Sequence, residues 1–196
     1  MKTLTLHLFD VLENSAKAGA SEVRLDFAAI GSTLHIELED DGPGFPPHLL
    51  TNPADPYATT RTERPVGLGL ALLRQAAEET GGAFQAANGK NGGAHLQISV
   101  VMSHWDARPL GDPVGLILET AMAWPQLMLT VSVQVEEAPR VQAFNAVQVC
   151  EVLEGLPLSH PSVRPILQAD LEASFAALVE WADRVRDQLF TDSTPH

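Results

Sequence analysis

Within the first forty residues the spacing of apolar residues changes from that of a helix to that of a strand, and this change limits the kind of fold that the chain can adopt. The pattern predicts a helix over residues 4–18. One face of this helix would carry Leu4, Leu8, Val11, Leu12 and Ser15, which recur at helical spacing. Gly19 follows as a helix stop. Apolar and polar residues then alternate over 22–27 and 33–38, on either side of a Gly31-Ser32 turn, which predicts a β-hairpin. A helix followed by a hairpin predicts a helical layer packed on a sheet.

A long loop and a second helix follow the hairpin. Residues 45–65 are rich in proline and polar side chains and lack periodicity, and a loop of this length most often covers a ligand as a lid. The Gly67-Leu68-Gly69 turn opens a second helix that ends near residue 81. Two further strands would complete the sheet, over 83–87 and 94–102. Residues 1–103 are therefore predicted to form a two-layer α/β sandwich with helices on one face of the sheet.

Proline and glycine residues break the secondary-structure pattern at residues 103–113, where we place a domain boundary. Beyond it the patterns predict helix, strand, strand, short helix and long helix, over residues 114–124, 127–136, 140–144, 147–153 and 161–189. Residues 104–196 are therefore predicted to form a small α+β domain. This region carries no chemical motif, and docking of a partner is one role that it leaves open.

The formal net charge of −13 argues against two classes of partner. Nucleic acids and anionic membrane surfaces would repel such a chain, so neither is expected to bind it. The sequence shows no apolar run of membrane-spanning length and no secretory signal pattern, so a cytoplasmic location is expected. The single cysteine, Cys150, is expected in the core. The seven histidines form no i,i+3 or i,i+4 pair, and none is expected to bind a metal.

Three polar residues of the first helix, Asp10, Asn14 and Lys17, would project from one side of it. Asn14 offers a neutral oxygen for Mg²⁺, which binds nucleotides through few protein ligands and through the phosphates themselves. Lys17 could then neutralise phosphate charge. The alternative is an ordinary solvated side of a helix.

The segment Asp40-Asp41-Gly42-Pro43-Gly44 ends the second strand of the hairpin. Its glycines would allow the backbone to turn sharply and to approach a flat ligand closely. A carboxylate at the end of a strand can accept a hydrogen bond from an exocyclic amine such as that of adenine, and it would discriminate against a base that lacks the amine. An acidic turn without a ligand is the alternative for this segment.

The Gly67-Leu68-Gly69 turn lies at the start of the second helix, after a loop that carries Arg61 and Arg64. Helix N-termini bind phosphate through unpaired N–H groups and the helix dipole, and glycine permits close approach. The turn is not a dinucleotide-binding fingerprint, since no strand runs directly into it and no third glycine follows at the required place.

Taken in order, these segments resemble the motifs of the GHKL (Bergerat-fold) ATPase superfamily, which includes DNA gyrase B subunits, MutL proteins, sensor histidine kinases and anti-sigma-factor kinases. Residues 10–20 resemble the N box, with Asn14 at the Mg²⁺-binding asparagine, and residues 40–44 resemble the G1 box, with Asp40 at the adenine-binding aspartate. Residues 55–61 are similar to a histidine-kinase lid and residues 67–70 to the G2 box. The resemblance implies ATP and Mg²⁺ as ligands. It places the nucleotide on Asn14, Lys17, Asp40, Gly42, Gly44, Thr59, Thr60, Arg61, Gly67, Leu68, Gly69 and Leu70.

Several positions depart from the pattern of the superfamily. Asp10 stands where hydrolysing members carry a glutamate as general base, and its side chain is one methylene shorter. Lys17 matches histidine kinases rather than MutL. Pro65 replaces the first glycine of the kinase G2 pattern, and Ala94 stands where a threonine often supports the adenine aspartate. The resemblance therefore leaves open whether the chain turns ATP over.

The whole chain resembles small bacterial ATP-binding proteins encoded beside iron-hydrogenase subunits. Three functions stay open: a regulator whose lid responds to ATP and ADP and so controls a protein partner, a protein kinase of the anti-sigma serine or histidine-kinase-like type, and a slow ATPase with Asp10 as base. An enzyme is favoured but not established at this stage. A protein partner is expected, and the oligomeric state is left open, a homodimer included.

Overall fold

A computed structural model describes residues 3–46, 50, 68–89, 92–158 and 160–191 of the chain. Its helices are α1 Leu4–Ala18, α2 Leu68–Glu79, α3 Pro113–Ala123, α4 Ala146–Val152 and α5 Val163–Thr191. Its strands are β1 Glu22–Ile30, β2 Thr33–Asp40, β3 Ala83–Asn88, β4 Ala94–Val101, β5 Met128–Val135 and β6 Val141–Asn145. The predicted α/β fold class is confirmed, and these bounds lie within a few residues of those that the periodicity predicts.

All six strands join one sheet in the order β3-β4-β2-β1-β5-β6. Neighbouring strands are antiparallel except β1 and β5, which run parallel with Glu22 opposite Met128 and Ala29 opposite Val135. A parallel pair needs a long crossover connection, and here the crossover passes through β2, α2, β3, β4 and α3 before the chain returns to β1.

The two faces of the sheet differ because side chains alternate along each strand. One face is apolar and packs against the helices, as in the edge-to-face contact of Phe27 with Phe175 of α5, whose ring centroids are 5.8 Å apart. Trp181 of α5 also donates a hydrogen bond from Nε1 to the carbonyl oxygen of Gly31, at 3.0 Å. The opposite face carries polar side chains, and we call six of them the polar face: Arg24, Asp26, Glu37, Glu39, His95 and Gln97.

Helix α1 is held at both ends. Its apolar stripe is fully buried, and its last turn stops at Gly19, which adopts a φ of 93° that favours glycine. At the other end the N–H groups of Leu4 and Thr5 donate to the carbonyl oxygens of Pro109 and Leu110, both at 3.0 Å. The segment where the sequence predicted a domain boundary therefore binds the start of α1 directly.

The C-terminal half differs from the sequence-based expectations in two respects. Strands β5 and β6 extend the sheet of the N-terminal half, so the part of the chain that the structure describes contains one sheet that crosses residue 103. The division of the chain into domains at that residue stays a prediction. The expectation that Cys150 is in the core is wrong, because α4 buries only Ala146 and leaves the cysteine exposed.

None of the described helices has both the length and the apolar composition needed to cross a bilayer.

Candidate functional site

Asp40 is the last residue of β2, and its carboxylate is held by three donors from three parts of the fold. Oδ1 accepts hydrogen bonds from the N–H groups of Gly42, at 3.0 Å, and Ala94, at 2.8 Å. Oδ2 accepts from the Ser15 hydroxyl of α1, at 2.6 Å. These bonds fix the orientation of the carboxylate at the edge where helix α1 meets the ends of β2 and β4.

Asp41 has a different role although it is the next residue. Its Oδ1 accepts hydrogen bonds from the N–H groups of Ser21 and Glu22, at 2.7 and 2.8 Å. These two groups precede and begin β1, so Asp41 ties the turn after β2 to the start of the neighbouring strand. Asp40 and Asp41 are therefore held by different parts of the fold.

Glycines allow the chain to pass close to Asp40. A Cβ on Gly93 would lie 1.9 Å from the Asp40 carbonyl oxygen, and Gly93 has a φ of +73°. A Cβ on Gly42 would lie 3.2 Å from the Asp40 Oδ1. These two positions let the start of β4 and the turn after β2 bring their N–H groups to the carboxylate.

Gly44 and Phe45 connect the turn to β3. Gly44 has a φ of +74°, and a Cβ there would lie 2.7 Å from Oδ1 of Asn88. The Asn88 side chain accepts from the N–H of Phe45, at 2.7 Å, and donates to the carbonyl oxygen of the same residue, at 3.0 Å. The first residues after the turn are therefore fixed in place by the end of β3.

Helix α1 carries three of the polar residues that the sequence assigned to the site. Asp10 and Asn14 are partly buried, one helical turn apart, and Asn14 precedes the Ser15 that binds Asp40. Lys17 is exposed and pairs with Glu13, with Nζ and Oε1 2.8 Å apart and side-chain exposures of 45% and 37%. An exposed ion pair of this kind contributes about 0–1 kcal/mol, so Lys17 can exchange Glu13 for another anion at small cost.

The start of α2 lies against α1. A Cβ on Gly69 would be 2.8 Å from Cβ of Asp10 and 3.1 Å from the carbonyl oxygen of His7. Leu68 is exposed, whereas Leu70 is buried in the core, so the Leu70 side chain contributes packing rather than a surface for a ligand. The structure thus brings Asp10 of the first motif and Gly69 of the last motif together.

Four predicted site residues lie outside the described residues: Thr59, Thr60, Arg61 and Gly67. Pro65 and most of the predicted lid also lie outside them. Among the predicted residues that the structure describes, Asp40, Gly42 and Gly44 share one turn, and Asp10, Asn14 and Lys17 share one side of α1.

Two contributors to the Asp40 arrangement were missed by sequence reasoning. Ser15 was assigned only to the apolar stripe of α1, yet it donates to Asp40, and its hydroxyl on an otherwise apolar stripe was the available signal. The backbone N–H of Ala94 was also missed, since any residue other than proline supplies that donor and its identity carries no signal.

The Asp40 carboxylate can accept a further hydrogen bond. An ionised carboxylate offers about four acceptor positions, and described residues use three of those of Asp40, two on Oδ1 and one on Oδ2. Oδ2 therefore keeps room for one more donor. The exocyclic amine of adenine, which the motifs predict as a ligand group, is a donor of this kind.

The N-terminal half of the chain is similar to proteins of one family. The family model described as histidine kinase-, DNA gyrase B-, and HSP90-like ATPase matches residues 2–104. The sensor protein KdpD of Escherichia coli strain K12 is 36% identical over 98 residues, which make up 47% of this chain and 11% of that protein. The sensor histidine kinase component HK1 of Mycobacterium tuberculosis strain H37Rv is 34% identical over 93 residues, or 46% of this chain and 55% of that protein.

One solved structure shows the same fold over a larger part of the chain. The N-terminal domain of a DNA repair protein superposes with a TM-score of 0.53 at 17% identity, covering 74% of this chain and 53% of that one. In each of these three comparisons the chain spans 55% or less of the length of its relative. The family model, by contrast, matches more than half of the 196 residues of this chain. The chain therefore belongs to the family of histidine kinase-, DNA gyrase B- and HSP90-like ATPases.

Proposed function

We propose that this chain is a Mg²⁺-ATP-binding regulatory protein in which Oδ2 of Asp40 accepts a hydrogen bond from the exocyclic amine of adenine. The hydrogen bonds of the Asp40 carboxylate carry the proposal, because they orient it and use three of its four acceptor positions. A site built to accept from an amine discriminates strongly against a base without one, since its buried acceptor would then stay unpaired.

The remaining residues of the proposed site come from the family resemblance. Asn14 would hold Mg²⁺ through its side-chain oxygen, and Lys17 would lie against phosphate. The glycines of the two turns would let backbone N–H groups approach the nucleotide closely. These residues are Gly42 and Gly44 near Asp40, and Gly67, Leu68, Gly69 and Leu70 at the start of α2, with Thr59, Thr60 and Arg61 from the predicted lid.

A matched pair of variants tests the role of Asp40. In Asp40→Asn the amide oxygen can keep the bonds from Gly42 and Ala94, but the amide nitrogen replaces Oδ2 with a donor. We expect ATP affinity in calorimetry to fall by about tenfold to a hundredfold, the loss that corresponds to one charge-assisted hydrogen bond. Inosine triphosphate, which lacks the amine, should bind the wild-type chain weakly and lose little further affinity in the variant.

Asp41→Asn is the matched control, because both of its bonds go to one oxygen that asparagine retains. It should bind ATP like the wild-type chain. If Asp40→Asn binds ATP as tightly as Asp41→Asn does, Asp40 does not bind adenine and the proposed site is wrong.

Hydrolysis is a second candidate function, favoured by the contact between Asp10 and the first turn of α2. A Cβ on Gly69 would be 2.8 Å from Cβ of Asp10, so the carboxylate lies beside a helix N-terminus that can hold phosphate. Asp10 could there take a proton from an attacking water. Asp10→Asn should lower phosphate release by about a hundredfold while leaving ATP affinity within a few-fold of wild type. Equal release by the two proteins would remove Asp10 as the base.

Control of a protein partner distinguishes the regulator from the two enzymes. The net charge of −13 suits a partner with a basic surface, and a lid that responds to nucleotide would change affinity for it only by binding ATP and ADP differently. Incubation with γ-labelled ATP and Mg²⁺, alone and with cell extract, separates the candidates. Free phosphate indicates an ATPase and a labelled protein indicates a kinase. Partner binding that depends on nucleotide, with neither product, indicates the regulator.

A further inference from the structure

Three side chains of the polar face converge on adjacent strands, away from the helices. Glu37 and Glu39 stand two residues apart on β2 and therefore point to the same face. In the register of β2 with β4, Glu39 lies opposite His95 and Glu37 lies opposite Gln97. His95 is thus the direct neighbour of one glutamate and the diagonal neighbour of the other.

The distances between the three ligand-type atoms are short. Nε2 of His95 lies 2.6 Å from Oε1 of Glu37 and 3.6 Å from Oε1 of Glu39. One such atom from each residue lies within 4.8 Å of the other two. The side chains are only 26%, 34% and 39% exposed, for His95, Glu37 and Glu39, so their positions are restrained by neighbours.

Neighbouring groups orient both carboxylates. Arg24 on β1 pairs with Oε2 of Glu39, which leaves Oε1 of that residue on the side of His95. Nε2 of Gln97 donates to Oε1 of Glu37, at 2.9 Å. Groups that hold a ligand in this way are typical of the outer shell of metal sites.

We propose that Glu37, Glu39 and His95 form a site for a divalent transition-metal ion of the Zn²⁺ type. Zinc accepts one imidazole nitrogen together with carboxylate oxygens at about 2.0–2.2 Å, and three protein ligands leave its fourth position open. Mg²⁺ prefers oxygen ligands and octahedral geometry, so it does not compete well for a site with a nitrogen. The hydrogen bond of His95 to Glu37 would be exchanged for coordination, with release of any proton on Nε2.

An ion can reach the three side chains from solvent. Arg24, Glu39 and His95 line an open depression of about 610 Å³, together with residues at the end of β2 and in the turn after it. Glu37 lines a second open depression, of about 340 Å³. The ion would link β2 to β4 through Glu37 and Glu39 on one strand and His95 on the other. A zinc ion at His95 would contradict the expectation that none of the histidines binds a metal, which rested on helical spacing alone.

Calorimetric titration of ZnCl₂ into the full chain, in excess Mg²⁺ and without nucleotide, tests the proposal. We expect one zinc ion per chain, with affinity lowered in His95→Gln by more than about tenfold, which is the loss seen even when a group that supports a ligand is removed. His35→Gln is the matched control, because His35 is an exposed histidine on the same face of β2 outside the three converging residues. It should bind zinc like the wild-type chain.

Thermal unfolding gives a second readout. At one zinc concentration, zinc should raise the unfolding midpoint of the wild-type chain and of His35→Gln by more than that of His95→Gln. If His95→Gln does not fold, Glu39→Gln takes its place in both measurements. Zinc affinity that is equal in the wild-type chain and in the ligand variants would overturn the site, as would an absence of zinc binding to the wild-type chain. No nucleotide is present, so the outcome is separate from that of the proposed function.

Discussion

Asp40 and Asp41 are adjacent in the sequence but accept hydrogen bonds from different parts of the fold. Asp41 binds the start of β1, while Asp40 is held by Ser15, Gly42 and Ala94. The Asp40 arrangement depends on the close approach of the chain at Gly93, where a side chain would overlap the Asp40 carbonyl oxygen. One glycine therefore positions the N–H group that orients the candidate ligand-binding acid.

Replacing Gly93 by alanine should lower the stability of the protein, because the Asp40 arrangement depends on the close approach of the chain at Gly93. Gly93→Ala places a Cβ 1.9 Å from the Asp40 carbonyl oxygen at a φ of +73°, whereas Gly81→Ala has nearly the same φ, +74°, and nothing within 4 Å. Gly81→Ala should cost about 1–2 kcal/mol from the left-handed backbone alone. Gly93→Ala should cost at least about 2 kcal/mol more, because the backbone must also move.

Urea unfolding of both variants measures the difference in free energy of unfolding. Equal losses in the two variants would show that the start of β4 moves away from Asp40 without cost, and the orientation of the carboxylate would then not depend on Gly93.

At the scale of elements, α1 contacts both the rest of the fold and the candidate site. Its apolar stripe is buried in the core, its first N–H groups bind Pro109 and Leu110, and Ser15 binds Asp40. Helix α2 packs closely across α1, and Gly69 is one point of close approach. The absence of a side chain at Gly69 therefore allows the start of α2 to lie next to Asp10.

The sign of the stability change in Gly69→Ala should show whether the two helices are tightly packed at this residue. In an unconstrained helix, glycine to alanine stabilises by about 1 kcal/mol. Here the new Cβ would be 2.8 Å from Cβ of Asp10, so we expect destabilisation by about 1–3 kcal/mol, measured by chemical unfolding. A stabilised variant would show that α2 can shift along α1 without loss of packing.

At the scale of the molecule, residues from both halves of the chain form one sheet. Strand β1 lies between β2 and β5, and Phe27 of β1 packs against Phe175 near the C-terminal end of the sequence. Without residues 104–196, β1 would become an open edge, and the apolar face would lose α3 and α5. The two halves are therefore expected to depend on each other for stability.

A fragment of residues 1–103 should not unfold cooperatively, whereas the full chain should unfold in one transition. Circular dichroism in the far and near ultraviolet should report the same midpoint for the full chain. A fragment with its own cooperative transition, or two separated transitions in the full chain, would instead support two independent domains divided at residue 103.

Local pattern was sufficient for most of the elements. The period of α1, the alternation of β1 and β2 and the glycines at residues 19 and 31 act over a few residues, so the sequence predicted their type and nearly their bounds. The order of the motifs also predicted the ATPase family, because each motif is a short run of residues. The roles of the individual site residues stay predictions until the variants are measured.

Contacts between distant residues decided the rest. The parallel pairing of β1 with β5, the hydrogen bonds of Asp40 to Ser15 and Ala94, and the convergence of Glu37 and Glu39 on His95 all join residues from separate segments. No local period encodes them, because they depend on which strands become neighbours and in which register. The sequence by itself determined the helices, the strands, the turns and the family of this protein. Only the tertiary structure decided which side chains meet, because burial of the apolar faces sets the strand order and thereby the neighbours of each polar residue.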